Sequence, residues 1–134
     1  MNSVESLDAT LDAKVVLVAG TSTSASKKGQ LVACSFDGHF DFINKLEFDD
    51  EISRVRRLTC SDIFLVGSWT CIVFTQFSNK KMTKLGSIND LFTGLVSWIE
   101  PTANEIYVME RGGKEVRRIE FNFLIDGYEM AESK

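Results

Sequence analysis

The chain has 134 residues, 44% of them hydrophobic, and a net charge of -4 from 15 basic and 19 acidic side chains. That apolar content excludes a disordered chain and suits one ordinary domain with a real core. The mild acidity excludes a general attraction to nucleic acid or anionic membrane, and no apolar run approaches the roughly 18 residues of a membrane helix.

The first stretch, residues 1 to 13, is polar and acidic, with Glu5, Asp8 and Asp12. It resembles neither a secretory signal nor an Arg-rich transit peptide, so the expected compartment is cytoplasmic or nuclear. It reads as a loose arm, or as an outer strand given to a sheet from elsewhere. Val15 to Ala19 is a β-branched apolar run ended by Gly20, the pattern of a buried strand. Thr21 to Gln30 is a polar loop, and Leu31 to Phe36 a second strand. Asp37-Gly38 is a strong hairpin signal, because a two-residue mirror-type turn needs positive φ. His39 to Phe48 alternates, placing Phe40, Phe42, Leu46 and Phe48 on one face and Asp41, Lys45 and Glu47 on the other.

Three short strands follow in a row: Ile52 to Leu58, Ile63 to Val66 and Cys71 to Phe77. Ser61-Asp62 and Gly67-Ser68 supply the turn chemistry between them. After a polar turn at Ser78 to Lys81, Met82 to Ile88 is a weaker strand. Phe92, Gly94, Val96 and Trp98 then share one face of the next strand, with Trp98 expected in the core. Pro101 to Asn104 is a turn, Glu105 to Met109 a strand, and Arg111-Gly112-Gly113 a tight hairpin. Lys114 to Phe123 returns with Val116, Ile119 and Phe121 as its apolar positions. Asp126-Gly127 marks a last turn before a polar tail. No segment holds a helical period over three turns. The expected fold class is all-β.

The units recur at about 42 to 48 residues. VVLVAG from Val15, IFLVGS from Ile63 and EIYVME from Glu105 overlay. Each precedes a polar turn and a strand ending in an aromatic: Phe36, Phe77 and Phe121. The pattern resembles the WD-repeat β-propeller family over roughly residues 14 to 123, divided as 14–49, 50–89 and 90–123, with residues 124–134 as a tail. EIYVMERGGKEVRRIEF is also similar to propeller repeats of the YVTN kind. The family's Trp-Asp and Gly-His pairs are absent; Phe77-Ser78 and Phe121-Asn122 stand where Trp-Asp would be. The resemblance implies four-stranded antiparallel blades. Closed propellers have about four to eight, so three imply a part of a larger ring, a ring completed by further chains, or strands that instead close as one small β-barrel or β-sandwich.

The chemistry-bearing residues are scattered. Lys27 and Lys28 precede Gly29 and a strand, not the helix a phosphate-binding loop requires, so residues 20 to 29 read as a solvated hairpin loop. His39 and Cys34 supply half a metal site at most, and Asp49, Asp50 and Glu51 lack the spacing of a calcium loop. Cys34, Cys60 and Cys71 suit reduced thiols, with a Cys60–Cys71 bridge as the alternative. No metal, cofactor or catalytic residue is expected, and the chain is not read as an enzyme.

Arg54, Arg56 and Arg57 form the densest basic cluster, suited to acidic side chains or phosphate, or else to pairing with neighbouring acids. Trp69 sits in a turn, and exposed aromatics on loops are favoured partner anchors. The propeller resemblance places Arg111 and Lys114 in the equivalent turn of the following unit. It implies a partner-binding surface of Trp69, Arg111, Lys114 and Arg54, against the alternative that Trp69 packs between blades. The expected function is a non-catalytic scaffold that displays loops to a protein or peptide, with self-association or further blades completing the ring and with no nucleic acid or membrane partner. The alternative is a small β-barrel holding an apolar ligand among Phe40, Phe42 and Phe74.

Overall fold

The computed structural model describes residues 3–22, 28–36, 39, 41–59, 61–113 and 115–120. Among these there are eleven strands and no helix. They form three antiparallel sheets, each a simple meander in which consecutive strands pair. Sheet I holds β1 (Ser3–Ala9), β2 (Val15–Thr21), β3 (Gly29–Ser35) and β4 (Phe42–Glu47). Sheet II holds β5 (Ile52–Arg57), β6 (Ile63–Ser68), β7 (Ile72–Ser78) and β8 (Lys81–Ile88). Sheet III holds β9 (Val96–Pro101), β10 (Glu105–Glu110) and β11 (Val116–Glu120).

Sheet II is the filling of the stack. Every residue of β6 is buried, because its two faces serve two separate cores. Phe64 and Val66 pack with Leu17, Ala19, Leu31 and Ala33 of sheet I. Ile63 and Leu65 pack with Val96, Ile99, Ile106 and Val108 of sheet III. A strand buried on both sides reads as a continuous apolar run, and IFLV is one. Each of these large side chains contributes about 1.5 to 3 kcal/mol by leaving water. Sheets II and III approach closely at Gly67, where a Cβ would stand 2.8 Å from Val96 Cγ1.

The first strands of the three sheets, β1, β5 and β9, lie side by side and run the same way. No backbone ladder joins them; side chains do. The Ser6 hydroxyl accepts from Val55 N–H at 3.2 Å, and Asp8 accepts from Arg57 N–H at 2.8 Å, both across 49 residues. The Ser53 hydroxyl donates to the Val96 carbonyl and Arg56 Nη1 donates to that of Ile99, both across 43 residues. A constant offset within each pair of strands is the mark of parallel neighbours. Each first strand also carries a bulge near its start, at Glu5, Ser53 and Ser97, where one residue is skipped in the pairing. On the far side, Lys84 of β8 donates to the Glu47 carbonyl at 2.9 Å and lies over the Phe48 ring.

Several expectations are corrected. Residues 3–9, read as a loose arm or a donated outer strand, pair with β2 and lie against β5. The sheets do not close as one barrel: three separate sheets stack, and Phe74 is core between sheets II and III, not the wall of a cavity. Phe42 does not share a face with Leu46. A bulge at Ile43 shifts the register, so Phe42 pairs with Cys34 on the outer side of sheet I and is 66% exposed. Residues 91–95 are not strand; β9 begins at Val96 and runs through Pro101. Trp98 is not core; it is 45% exposed on the outer side of sheet III. Cys34 and Cys71 are free thiols, in keeping with the reading of reduced cysteines. Phe40, Cys60 and Phe121 lie outside the described residues, as do the turns at positions 37–38 and 126–127 and the tail.

Candidate functional site

The end of the stack where β5 and β9 begin and β6 and β10 finish gathers two of the four expected partner residues. Trp69 follows β6 directly and makes a single antiparallel bridge to Leu95. Arg111 follows β10 and donates its backbone N–H to the same Leu95 carbonyl at 2.8 Å. Leu95 is buried beneath them. Trp69 itself is 44% exposed and belongs to neither core cluster. Its indole N–H donates to Glu51 Oε1 at 3.3 Å, and the Ser68 hydroxyl donates to the Glu51 carbonyl at 2.9 Å. Thr70, at φ 62°, turns the chain so that its N–H reaches Gly94 O and its carbonyl accepts from Leu91, both at 2.8 Å. The indole is therefore displayed on a fixed backbone rather than on a free loop. Arg111 is exposed beside it. Lys114 lies outside the described residues.

Arg54 sits deeper on β5, opposite Gly67. Its guanidinium lies over the Trp98 ring, 3.9 Å from the centroid, a cation–π contact. Among the described residues it has no ion-pair partner, and its Nε is buried without a hydrogen-bond acceptor. Burial lowers its pKa from the ordinary arginine value, the like charge of Arg56 adds to that, and Glu100 opposes it. Arg56 is fully used, with Nη1 on the Ile99 carbonyl at 2.9 Å, Glu100 at 3.4 Å and Asp8 at 3.8 Å. Arg57 is used too: its Nε donates to Ala9 O and its Nη1 to Leu58 O. Of the three arginines expected as a cluster, two hold first strands together and Arg54 keeps an uncommitted charge. The Trp98 indole N–H donates to Glu100 Oε1 at 3.2 Å, and that bond, with Arg56, holds the Glu100 carboxyl below the usual carboxylate range.

One feature of this end escapes sequence reading. An open cleft of about 360 Å³ adjoins the Trp69 turn, lined by Asp90, Phe92, Thr93, Glu110, Glu115 and Arg117. The Arg117 guanidinium stands over the Phe92 ring at 5.4 Å. Two carboxylates of the β10–β11 hairpin, Glu110 and Glu115, line one cleft with Asp90 because residues 91–95 fold back onto Thr70. No local spacing announces that.

His39 is exposed. Among the described residues no three His, Cys, Asp or Glu side chains gather in a way that could hold a metal ion. Cys34 and Cys71 have pKa values raised by burial, with Asp50 adding to the effect at Cys71, so these thiols are protonated at neutral pH. Among the described residues no helix is long and apolar enough to cross a membrane. No family model matches the chain, and no curated protein matches it.

Proposed function

We propose that this protein is a non-catalytic interaction scaffold, a propeller-like stack of sheets that presents one end to a protein or peptide partner. The observation that carries the reading is Trp69: a large aromatic left nearly half exposed while its backbone is fixed through Leu95, Thr70 and Glu51. Holding an aromatic still in water brings the fold little stability, but it lowers the entropy lost when a partner covers it. Arg111 beside it and the unpaired charge of Arg54 favour carboxylates on that partner. The acidic cleft next to Trp69 favours a basic side chain at the adjoining position, so the partner is an extended segment of mixed charge. The repeated sheets and parallel first strands support the propeller reading. A cytoplasmic or nuclear place belongs to the same proposal.

Selection of peptides from a random displayed library tests it. Peptides enriched on the intact protein should lose at least about tenfold in affinity to Trp69→Ala, since a central aromatic anchor contributes about 2 kcal/mol or more. The melting temperature should stay within a degree or two of the parent. Binding that survives Trp69→Ala, or a variant that unfolds, contradicts the proposal.

A further inference from the structure

The three first strands repeat one another position by position. Each skips one residue in its pairing, at Glu5, Ser53 and Ser97. The residue before the skip is Val4, Ile52 or Val96, and the second residue after it is Leu7, Val55 or Ile99. Ile52 and Val55 are fully buried against sheet I, and Val96 and Ile99 against sheet II. Val4 and Leu7 hold the same positions with the same kind of side chain, yet they are 62% and 60% exposed. Val18, Val32, Cys34 and Phe42 share their face, and Gln30, Lys45 and Glu47 give it a polar rim. An exposed apolar patch with a polar rim marks an interaction surface. The backbone repeats as well. Thr10 N–H donates to the Val15 carbonyl at 2.8 Å, so alternation along β1 points the Leu7 N–H and carbonyl away from β2. At the matching places the Val55 N–H donates to Ser6 Oγ at 3.2 Å, and the Ile99 carbonyl accepts from Arg56 Nη1 at 2.9 Å, each partner coming from the preceding sheet. Among the described residues no side chain meets the Leu7 pair.

We infer that the outer face of sheet I receives an antiparallel sheet of another protein, with that sheet's first strand parallel to β1. The inference extends the stacking step of the propeller-like reading above, and it uses no residue of the Trp69 end. What covers the buried equivalents of Val4 and Leu7 defines the chemistry of the partner. The covering faces are large and apolar, with Leu17 and Leu31 on sheet I and Leu65 and Phe74 on sheet II. Each face also has one small residue beside its first strand, Ala19 or Gly67. A Cβ at Gly67 would stand 2.8 Å from Val96 Cγ1, so the approach is close there. The partner therefore brings large apolar side chains around a Gly or Ala that faces Val4. Its first strand carries a Ser, Thr or Asp that accepts the Leu7 N–H, as Ser6 accepts that of Val55. A second copy does not offer such a face among the described residues. Its matching faces on sheets I and II are already covered. That of sheet III carries Glu100, Glu105, Tyr107, Arg118 and Glu120, and Met109 stands where Ala19 and Gly67 stand.

The test is selection from a displayed library of small antiparallel sheet domains with one face and one edge strand randomised. Enriched members should carry Gly or Ala amid large apolar residues on that face. They should lose at least about tenfold in affinity to Leu7→Lys and, separately, to Val4→Lys, because each places a charge in a contact that excludes water. Both positions are exposed in the free chain, so the melting temperature should hold. Trp69→Ala should leave this binding unchanged, which separates the result from the peptide experiment. Exchange of the Leu7 amide hydrogen should slow at least about tenfold when a selected domain binds. Binders indifferent to both lysine variants overturn the inference, and so do binders lost to Met109→Lys instead. A lysine variant that unfolds also overturns it, because its residue would then belong to the core of the single chain. So does light scattering in which the chain alone self-associates through a contact that Leu7→Lys abolishes, since a second copy would then cover the face.

Discussion

The Asp8 carboxylate accepts the backbone N–H of Arg57 at 2.8 Å, tying the first strand of sheet I to the first strand of sheet II across 49 residues. It also accepts Ala9 N–H at 2.9 Å and faces Arg56 Nε at 3.8 Å. One short side chain thus replaces the ladder that two parallel strands would otherwise form. Removing it strands the Arg57 N–H in a part-buried place. Asp8→Ala should cost about 2 kcal/mol, the usual value for a hydrogen bond to a charged group. Asp8→Asn, which keeps an acceptor, should cost less. Chemical denaturation measures both; equal losses for the two variants would show that charge, not the acceptor, matters there.

Thr75 offers the opposite sign. It is fully buried, and its Oγ1 has no hydrogen-bond partner among the described residues. Valine keeps the shape and the β-branch while removing the unsatisfied hydroxyl. Thr75→Val should stabilise the fold by about 1 kcal/mol, seen as a higher denaturation midpoint with unchanged slope. A lower midpoint would mean the hydroxyl is satisfied after all.

The β7–β8 hairpin turns on Asn79 and Lys80, both at positive φ, 52° and 61°. A mirror-type turn demands this, and Asn-Gly is its preferred pair. Asn tolerates the left-handed region; Lys does so at a cost of about 1 kcal/mol or more. Lys80→Gly should therefore raise stability by about 0.5 to 1 kcal/mol, after the greater freedom of glycine in the unfolded chain is set against the relieved strain. A thermal melt reads the change.

Glu100 supplies a pH response. Its pKa is lowered chiefly by the Trp98 indole and then by Arg56. A depressed carboxyl contributes stability above its unfolded value and loses it as pH falls through the folded one. Trp98 emission should accordingly change in acid, at a pH below the usual carboxylate range, and the step should vanish in Glu100→Gln. A step at the ordinary carboxylate pH would show that the indole bond does not persist in solution.

Much of the fold was legible because hairpins are local. The central triple of strands, the turn at Ser78 to Lys81 and the return after Arg111-Gly112-Gly113 are all expressed within a few residues. The spacing between units, expected at 42 to 48, compares with offsets between first strands of 43, inside that range, and 49, one residue beyond it. What failed was register. Alternation in His39 to Phe48 assumes no extra residue, and the bulge at Ile43 turns Phe42 outward. The polar stretch before Val15 lacks the apolar pattern of a strand, yet β1 forms because Ser6 and Asp8 serve β5 rather than a core.

The site was legible in a similar measure. Trp69 and Arg111 were singled out as turn residues, and Leu95 brings them together. Arg54 was expected at the partner surface within a cluster with Arg56 and Arg57, but composition does not say which guanidinium already has acceptors. Trp98 looked like core because its face contains Val96; the skipped Ser97 puts Val96 and Trp98 on opposite sides of sheet III. Glu110 and Glu115 share one hairpin, but the acidic cleft also needs Asp90 to reach them from 20 residues earlier, which no short window contains.

The chain has only two tryptophans, Trp69 and Trp98, which makes fluorine NMR of the 5-fluorotryptophan protein the most direct measurement of the proposed partner surface. Titrating in a peptide selected on the intact protein should shift the Trp69 resonance saturably, at the same affinity as bulk binding, and that shift should weaken in Arg111→Glu. A peptide that binds while the Trp69 resonance stays in place would contradict the account, because the displayed end of the stack would then not be what partners meet.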